Sequence, residues 1–386
     1  MRKTIAIVVP PLTGHINPMV PVSMELKARG HRPVWVLHPG PVAHLLPEGS
    51  EVIPLPEPYD KSYEDELKRK ADSTRGLAAF QFLWEDFLIP LADGMMDDVN
   101  RALKELKPDL VIADQQALAG GMVATQLGIP WITSSTTSAS LVDPFSMVPS
   151  VQEWMLEQFE KLQIRWGLEP VTRPDWSPLK IIAFSTRRFV GEDVQVPEQT
   201  VFVGPSVRKR PEPEGFPFER IEGKAPLLVS VGTLNQARSK RFFEVVAEAF
   251  ADWDRPVIAI APPDLLEVWP EHFIVQPRIP QLSILPHCSA VVTHAGHNTV
   301  VESLLQGLPL VLAPIRDDQP VIAGQIVDAG AGLRVHFSRV GPRKLREAVT
   351  RVIDESPFRE AAIQLRDDFL SSGGTAAAAD EVETCL

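Results

Sequence analysis

Short apolar runs that alternate with helical segments constrain the fold of this chain most. The run at residues 4–9 (TIAIVV) is continuous and apolar, as expected of a parallel strand that is covered on both faces. A segment with helical spacing follows at 17–29 and ends at a glycine, and the next apolar run begins at Pro33. The same order recurs over 110–133 and again over 227–328. The pattern predicts an α/β fold built from Rossmann-like units.

A segment rich in proline and charge divides the chain into two halves. The chain has 386 residues, more than one typical core accommodates, so we expect two domains. We predict an N-terminal domain over 1–205, a linker over 206–225 and a C-terminal domain over 226–386, whose last helix either stays there or packs back on the first domain. Because such folds bind ligands at the carboxyl ends of their strands, we expect the domains to face each other across a cleft. The basic run 208–210 is interpreted as a solvated part of the linker.

Composition excludes several classes of partner. The net charge of -12 argues against binding to a nucleic-acid backbone. Two cysteines in unlike segments suggest neither a disulfide framework nor a metal cluster and are typical of a reducing cytoplasm. The first apolar run is too short for a signal peptide, and no stretch approaches the roughly 20 apolar residues of a membrane span. Peripheral membrane contact stays open.

The segment 293–302 (THAGHNTVVE) carries the strongest chemical signal. It has the pattern of a strand end, a turn and the first turn of a helix, whose N–H groups and positive dipole end can bind phosphate. Gly296 lets the backbone approach a ligand, and His294 can donate a hydrogen bond to a pyrophosphate oxygen. Asn298 and Thr299 can cap the same helix.

Polar residues that follow this helix start have the chemistry to hold a sugar. Glu302 lies one helical turn further on, and Asp318 and Gln319 come after the next strand. Carboxylate and amide groups can hydrogen-bond sugar hydroxyls. The alternative for Glu302 is an ordinary acid of the first turn, favoured by the dipole. The whole segment predicts a site for a nucleotide-linked sugar.

A histidine and an aspartate mark the N-terminal half. His15 lies in a strand-to-helix turn (PPLTGHINP), where Asn17 is a plausible N-cap and Pro18 the first helical residue. Asp114 ends the strand at 110–113, whose carboxyl end should lie near that of strand 4–9. There it could accept the second N–H of the imidazole and stabilise its charged form. The alternatives are a structural turn histidine and an aspartate that caps the next helix.

Together these motifs resemble those of the inverting UDP-glycosyltransferases, in particular the bacterial natural-product and macrolide-type enzymes, which have the two-domain GT-B fold. The resemblance extends over essentially the whole chain. It implies that the diphosphate is held by His294, Gly296, Asn298 and Thr299, the ribose by Glu302, and the sugar by Asp318 and Gln319. It also implies Thr233 near the diphosphate, and His15 as general base assisted by Asp114.

The residues expected to read the nucleobase depart from the family pattern. Many members have an aromatic residue that stacks on uracil, followed by a residue whose backbone pairs with the base, then Pro and Gln. Here the positions are Arg278, Ile279, Pro280 and Gln281. A guanidinium can also stack on a base. A UDP-sugar is favoured, and a TDP-sugar is the alternative.

The predicted reaction is inverting transfer of a hexose to a hydroxyl of an apolar small molecule. An imidazole titrates near pH 6.5 and suits the base, and the helix N-terminus would stabilise the departing diphosphate, so neither a metal nor a cofactor is needed. Aromatic residues of the N-terminal domain either line the acceptor site or belong to its core: Phe80, Phe82, Trp84, Phe87, Phe145 and Trp154.

Two other functions use the same architecture. One is a sugar-nucleotide enzyme such as a 2-epimerase, which lacks the N-terminal histidine loop. The other is an inactive auxiliary protein that activates a partner transferase and usually loses donor residues or the base. The presence of His15, Asp114 and the donor set favours an active enzyme. A weak homodimer is compatible with the sequence.

Overall fold

The chain forms two compact units. The computed structural model describes residues 1–57, 66–67, 69–70, 74, 76–142, 149–210, 212–232 and 239–386. The first unit comprises Met1–Val207 and Ser371–Leu386, and the second comprises Arg208–Leu370. Each unit contains one parallel sheet with helices packed on it.

The first unit begins with alternating strands and helices. In chain order its described elements are β1 (Thr4–Val8), α1 (Thr13–Ala28), β2 (Arg32–Leu37), β3 (Glu51–Pro54), α2 (Leu77–Phe82), α3 (Ile89–Leu106), β4 (Leu110–Asp114), α4 (Leu118–Leu127), β5 (Trp131–Ser135), α5 (Pro149–Arg165), β6 (Ile181–Ala183), α6 (Arg187–Val190) and β7 (Thr200–Phe202). The strands form one parallel sheet in the order β3-β2-β1-β4-β5-β6-β7. The strand order therefore reverses between β1 and β4, which is where α/β sheets of this kind bind ligands.

The continuous apolar runs are explained by two cores, one on each face of this sheet. In β1, Ala6 and Val8 contribute to one core, and Ile5 and Ile7 to the other. Because side chains alternate along a strand, a strand buried on both faces needs an apolar residue at every position. The apolar run at residues 4–9 meets this requirement.

Helix α1 starts earlier than predicted. The interpretation of Asn17 as N-cap is wrong, because the helix begins at Thr13 and its N-cap is Leu12. The N–H of His15 already donates to the carbonyl of Leu12 at 3.0 Å. Pro18 misleads because its missing N–H is typical of a helix start, whereas here it lies inside the helix. His15 therefore lies in the first helical turn, not in a loop before it.

One turn of π-helix, Leu83–Leu88, joins α2 to α3. Pro90 lies in the first turn of α3. Proline has no N–H, and its ring crowds the carbonyl four residues earlier, so the regular α-helical bond to Asp86 cannot form. The widened turn carries Trp84 and Phe87.

The second unit repeats the pattern. Its described elements are β8 (Leu227–Ser230), α7 (Lys240–Ala249), β9 (Val257–Ile260), β10 (Phe273–Gln276), α8 (Gln281–Ile284), β11 (Ala290–Thr293), α9 (His297–Leu304), β12 (Leu310–Leu312), α10 (Gln319–Asp328), β13 (Gly332–Arg334), α11 (Pro342–Asp354) and α12 (Ser356–Ser371). The parallel sheet has the order β10-β9-β8-β11-β12-β13, so its reversal lies between β8 and β11. The predicted α/β class with two Rossmann-like units is confirmed.

The last helix, α13 (Gly374–Glu383), belongs to the first unit. Ala378, Ala379 and Val382 are fully buried in the core that also contains Ile5 and Ile7 of β1. The first unit is therefore completed by the end of the chain. In the described part of the chain, no helix combines the length and apolar character needed to cross a bilayer.

Candidate active site

The sheet of the first unit brings His15 and Asp114 together. Asp114 is the last residue of β4, and His15 follows β1, the neighbouring strand at the point of reversal. The Nδ1 atom of His15 lies 2.9 Å from Oδ1 of Asp114. The Asp114 side chain is fully buried and that of His15 is 12% exposed. The imidazole is thus held by a carboxylate that water does not reach.

A threonine that the sequence analysis did not identify completes this pair. The Oγ1 atom of Thr136 lies 2.9 Å from Nδ1 of His15 and 3.4 Å from Oδ2 of Asp114. Asp114 also accepts a hydrogen bond of 2.8 Å from the backbone N–H of Gln116. A carboxylate beside Nδ1 favours the tautomer that carries its proton on Nδ1 and its lone pair on Nε2. That lone pair is what a general base needs.

In the second unit, His294 occupies the equivalent place at the end of β11. Its ring lies between two glycines. A Cβ atom on Gly232 would come within 2.7 Å of its Nε2, and one on Gly296 within 2.5 Å. Its Nδ1 lies 3.4 Å from the carbonyl oxygen of Ser230. Burial lowers the pKa of His294 to about 4, so the imidazole is neutral near pH 7. It therefore offers a hydrogen bond rather than a charge.

Helix α9 begins beside this imidazole, and no side chain among the described residues caps its N-terminus. Its N-cap is Gly296, and the turn before it is tight because Ala295 adopts a φ of 68°. The interpretation of Asn298 and Thr299 as caps is therefore wrong, because both lie inside the first helical turn. Their roles toward a diphosphate stay a prediction. An uncapped helix start can take an anion as its cap.

Glu302 is already engaged by two side chains. It is 3% exposed, and Arg210 donates to both of its carboxylate oxygens, at 2.7 and 3.0 Å. Gln281 donates to Oε2 at 2.6 Å. The interpretation of Arg210 as a solvated linker residue is wrong, since its guanidinium neutralises a buried acid. Because Arg210 lies in a basic run rich in proline, the sequence pattern does not indicate this role.

Asp318 and Gln319 stand at the start of α10, with Asp318 as its N-cap. The side-chain oxygen of Gln319 accepts hydrogen bonds from the backbone N–H groups of Ile315 and Arg316, at 2.9 and 3.1 Å. Gln319 is 6% exposed. Its oxygen is thus used by the loop, and its amide NH₂ is the group that can donate to a sugar hydroxyl.

The residues expected at the nucleobase lie immediately before α8 and at its first position, Gln281. Arg278 is exposed and Ile279 is buried. The carbonyl of Ile279 accepts a 2.9 Å bond from the N–H of Gln281, which closes a tight turn. An exposed guanidinium is compatible with stacking on a base. The segment also brings the amide of Gln281 to Glu302.

The aromatic candidates for the acceptor site divide into two groups. Trp84 is buried and packs edge-to-face on Phe159, with ring centroids 5.0 Å apart, so it belongs to the core rather than to a ligand wall. Phe80 packs edge-to-face on Trp154 at 6.3 Å, and both are partly exposed. Phe82 and Phe87 are also partly exposed. Phe145 and Thr233 lie outside the described residues.

Among the described residues, no group of three or more His, Cys, Asp or Glu side chains is arranged to hold a metal ion. At the sheet reversal of the first unit, the polar groups are the pair of His15 and Asp114. In the second unit they are the start of α9, the neutral imidazole of His294, and the carboxylate of Glu302, which accepts hydrogen bonds from Arg210 and Gln281. These are groups that bind anions and hydroxyls and that can accept one proton.

Known proteins resemble the chain over its full length. A family model described as "Erythromycin biosynthesis protein CIII-like, C-terminal domain" matches residues 244–384. The uncharacterized UDP-glucosyltransferase YojK of Bacillus subtilis (strain 168) is 29% identical over 96% of this chain and 95% of its own length.

Solved structures share the fold. The glycosyltransferase of kitacinnamycin superposes with a TM-score of 0.81 at 25% identity, covering 100% of this chain and 99% of its own. The glycosyltransferase VinC, crystallised in complex with dTDP, has a TM-score of 0.75 at 19% identity, with 99% of each chain covered. At that identity the second likeness concerns the fold alone.

Proposed function

We propose that this chain, a glycosyltransferase with the GT-B fold, belongs to the UDP-glycosyltransferases of natural-product type and carries out the following reaction. A hexose moves from a nucleoside diphosphate sugar to a hydroxyl group of an apolar small molecule, and the configuration at the anomeric carbon inverts. His15 is the general base and Asp114 assists it.

The observation that carries this proposal is the 2.9 Å contact between Nδ1 of His15 and the buried carboxylate of Asp114. The acceptor oxygen attacks the anomeric carbon while the bond from that carbon to the diphosphate oxygen breaks. The acceptor proton passes to Nε2 of His15. Asp114 stabilises the imidazolium that results, because a buried carboxylate beside it is screened little by water. General-base catalysis of this kind contributes on the order of 100- to 10,000-fold.

The second unit supplies the groups that suit a donor. The uncapped start of α9 offers backbone N–H groups to the diphosphate, and its dipole favours the charge that builds up as the bond breaks. His294 adds a neutral hydrogen bond. Glu302 accepts from the pentose, and Asp318 with Gln319 bind the hexose. A nucleoside diphosphate as ligand is supported by the name of the relative YojK, a UDP-glucosyltransferase, and the dTDP complex of VinC shows that the same fold also takes a thymidine nucleotide.

The apolar acceptor is supported by the likeness to natural-product enzymes and by the partly exposed aromatic pair Phe80 and Trp154. Edge-to-face aromatic pairs at a surface provide rigid apolar area for a ligand. Trp84 is left out of this proposal because it is a core residue.

The proposal is tested by incubating the protein with UDP- and TDP-hexoses and a panel of apolar hydroxylated acceptors. We expect a product heavier by one hexose, and NMR coupling constants should give the anomer opposite to that of the donor. A product with retained configuration would contradict the role of His15 as a base acting on the acceptor. A thermal shift with UDP and TDP but no product would favour the auxiliary protein.

Two variants test the base. His15→Ala should lose transfer by about 100-fold or more while its affinity for the nucleotide is unchanged. Asp114→Asn should lower turnover more than it weakens nucleotide binding, because it disturbs the tautomer of His15. The exposed His44 provides the matched control, and His44→Ala should transfer at the wild-type rate. Turnover by His15→Ala at the wild-type rate would remove His15 from the mechanism.

A further inference from the structure

Glu302 has little hydrogen-bonding capacity left for a ligand. A carboxylate has about four acceptor positions, two on each oxygen. The guanidinium of Arg210 uses one on each oxygen, and the amide of Gln281 uses a second one on Oε2. Within the described residues this leaves one position, on Oε1.

The shape of the arrangement matters as much as the count. Arg210 binds in the two-pronged manner that is typical of arginine and carboxylates, with its two N–H groups on the two oxygens. A pair of neighbouring hydroxyls, such as the 2′- and 3′-hydroxyls of ribose, would approach the same two oxygens. The guanidinium already occupies that approach. A single hydroxyl needs only the remaining position on Oε1.

A ligand is not expected to displace Arg210. The Glu302 side chain is 3% exposed, whereas that of Arg210 is 34% exposed. Removing the guanidinium would leave a buried carboxylate without its counter-charge, which is far more costly than leaving one hydroxyl of a ligand unbonded. The ion pair is therefore a fixed part of the wall of the site.

We propose that the Arg210–Glu302–Gln281 network selects a donor whose pentose is 2′-deoxyribose over one whose pentose is ribose. The inference rests on the proposed function, in which Glu302 faces the pentose of the nucleotide. The 3′-hydroxyl donates to Oε1 of Glu302. A ribose 2′-hydroxyl finds the carboxylate filled and loses its hydrogen bond to water without replacement. Arg210 is thus a specificity-determining residue, because it occupies acceptor positions on the Glu302 carboxylate that a ribose hydroxyl would need.

The experiment uses nucleotides that differ by one hydroxyl. The dissociation constants of UDP, dUDP and TDP are measured by calorimetry with the full chain. Comparing UDP with dUDP isolates the 2′-hydroxyl, because the base is the same. Leaving one buried hydroxyl unbonded should make UDP bind more weakly than dUDP by about fivefold to about a hundredfold. TDP should bind at least as tightly as dUDP. Affinity for UDP equal to or higher than that for dUDP would overturn the inference.

Two variants test the network itself. Arg210→Lys keeps the positive charge beside Glu302. Because an ammonium group cannot donate in parallel to both carboxylate oxygens as a guanidinium does, this variant frees an acceptor position on Glu302. Gln281→Leu frees the second position on Oε2. In both, the ratio of the UDP to the dUDP dissociation constant should fall toward one. Arg255→Lys, at a partly exposed arginine of the same unit, should keep the wild-type ratio. Thermal unfolding verifies that each variant is folded.

The outcomes separate this inference from the proposed function. If both Arg210→Lys and Gln281→Leu kept the wild-type ratio of the UDP to the dUDP dissociation constant, the network could not be the cause of the selectivity. Equal binding of UDP and dUDP would overturn the inference and leave the glycosyltransferase proposal intact. Binding of none of the three nucleotides, tested with the folded full chain, would overturn the donor site itself and the inference with it.

Discussion

At the scale of single residues, the buried His294 makes stability depend on pH. Its pKa is about 4 in the folded protein, compared with an ordinary value of 6.5. Between these two values the unfolded chain binds a proton at this residue and the folded chain does not. The free energy of unfolding therefore falls as the pH decreases through this window, by about 1.4 kcal/mol per pH unit. The stability that depends on a neutral His294 is fully present above pH 6.5 and is lost as the pH falls to about 4.

His294→Gln tests this effect, because glutamine does not titrate. The free energy of unfolding is measured by urea denaturation at about pH 7 and about pH 5. The wild type should lose roughly 2 kcal/mol more than the variant over this interval. The variant serves as the baseline for all other titrating groups. Parallel pH profiles of the two proteins would show that His294 is not held neutral by burial.

Gly296 tests how tightly the imidazole is confined. Its φ of -65° and ψ of 132° suit any residue, so an added methyl group acts only through contact. That methyl would lie 2.5 Å from Nε2 of His294. Gly296→Ala should push the ring away and weaken nucleotide binding by about tenfold or more. Gly324→Ala, in α10 with nothing within 4 Å of the new Cβ, is the matched control and should bind normally. Normal binding by Gly296→Ala would show that the ring position is not critical.

The sequence predicts the site residues unevenly, and the reason is the sequence distance over which each contact forms. Asp114 could be paired with His15 because two neighbouring parallel strands end there. Thr136 was not identified because it is one of several hydroxyl residues after β5, and only the tertiary fold shows which one faces the imidazole. The partner of Glu302 lies 92 positions away in a segment without periodicity. No local pattern could indicate that contact.

At the scale of elements, the central strands were predictable, whereas three of the four edge strands in the two described sheets were not. The sequence does not predict β3, β10 or β13, and each of them lies at a sheet edge. Strand β3 exposes its first and last residues, and β13 has three residues of which one is buried. An edge strand is covered less completely than a central one, and β3 and β13 accordingly lack the continuous apolar run on which the prediction depends.

Helix α13 is held on the first unit by apolar packing and by ion pairs, and these differ in strength. Arg29 donates to Asp380 and Glu383 at 2.5 and 2.8 Å, but the Asp380 side chain is 66% exposed. Val382 is fully buried. Val382→Ala should cost roughly 2 kcal/mol of unfolding free energy at any salt concentration. Arg29→Met should cost less than about 1 kcal/mol, and high salt should remove the loss.

Urea denaturation at low and high salt measures both costs, and hydrogen exchange over 374–383 locates them. Faster exchange of this helix in Val382→Ala than in Arg29→Met is the expected order. The reverse order, or a salt-independent loss in Arg29→Met, would mean that the ion pairs and not the apolar face hold α13 in place.

At the scale of the whole molecule, the two units differ in how the chain completes them. The second unit is one continuous stretch, Arg208–Leu370, with its own core. The first unit needs Ser371–Leu386 as well. Without that segment, the core around Ile5 and Met19 loses the three fully buried side chains of α13. The first unit can therefore reach its full core only after the last residues of the chain are present.

This difference predicts how fragments behave. The fragment 208–370 should fold alone and unfold cooperatively, because it contains a complete sheet and core. The fragment 1–207 should expose apolar surface and self-associate.

A short connection should rescue the first unit. The N–H of Gly374 donates to the carbonyl of Val203 at 2.6 Å, and the hydroxyls of Ser206 and Thr375 lie 2.9 Å apart. The end of the first stretch and the start of the last one are therefore neighbours, and a few glycine and serine residues can join 207 to 371. The fused protein should be monomeric by gel filtration and melt cooperatively by circular dichroism. If 1–207 alone behaved as well as the fusion, α13 would be an accessory and not a part of the core.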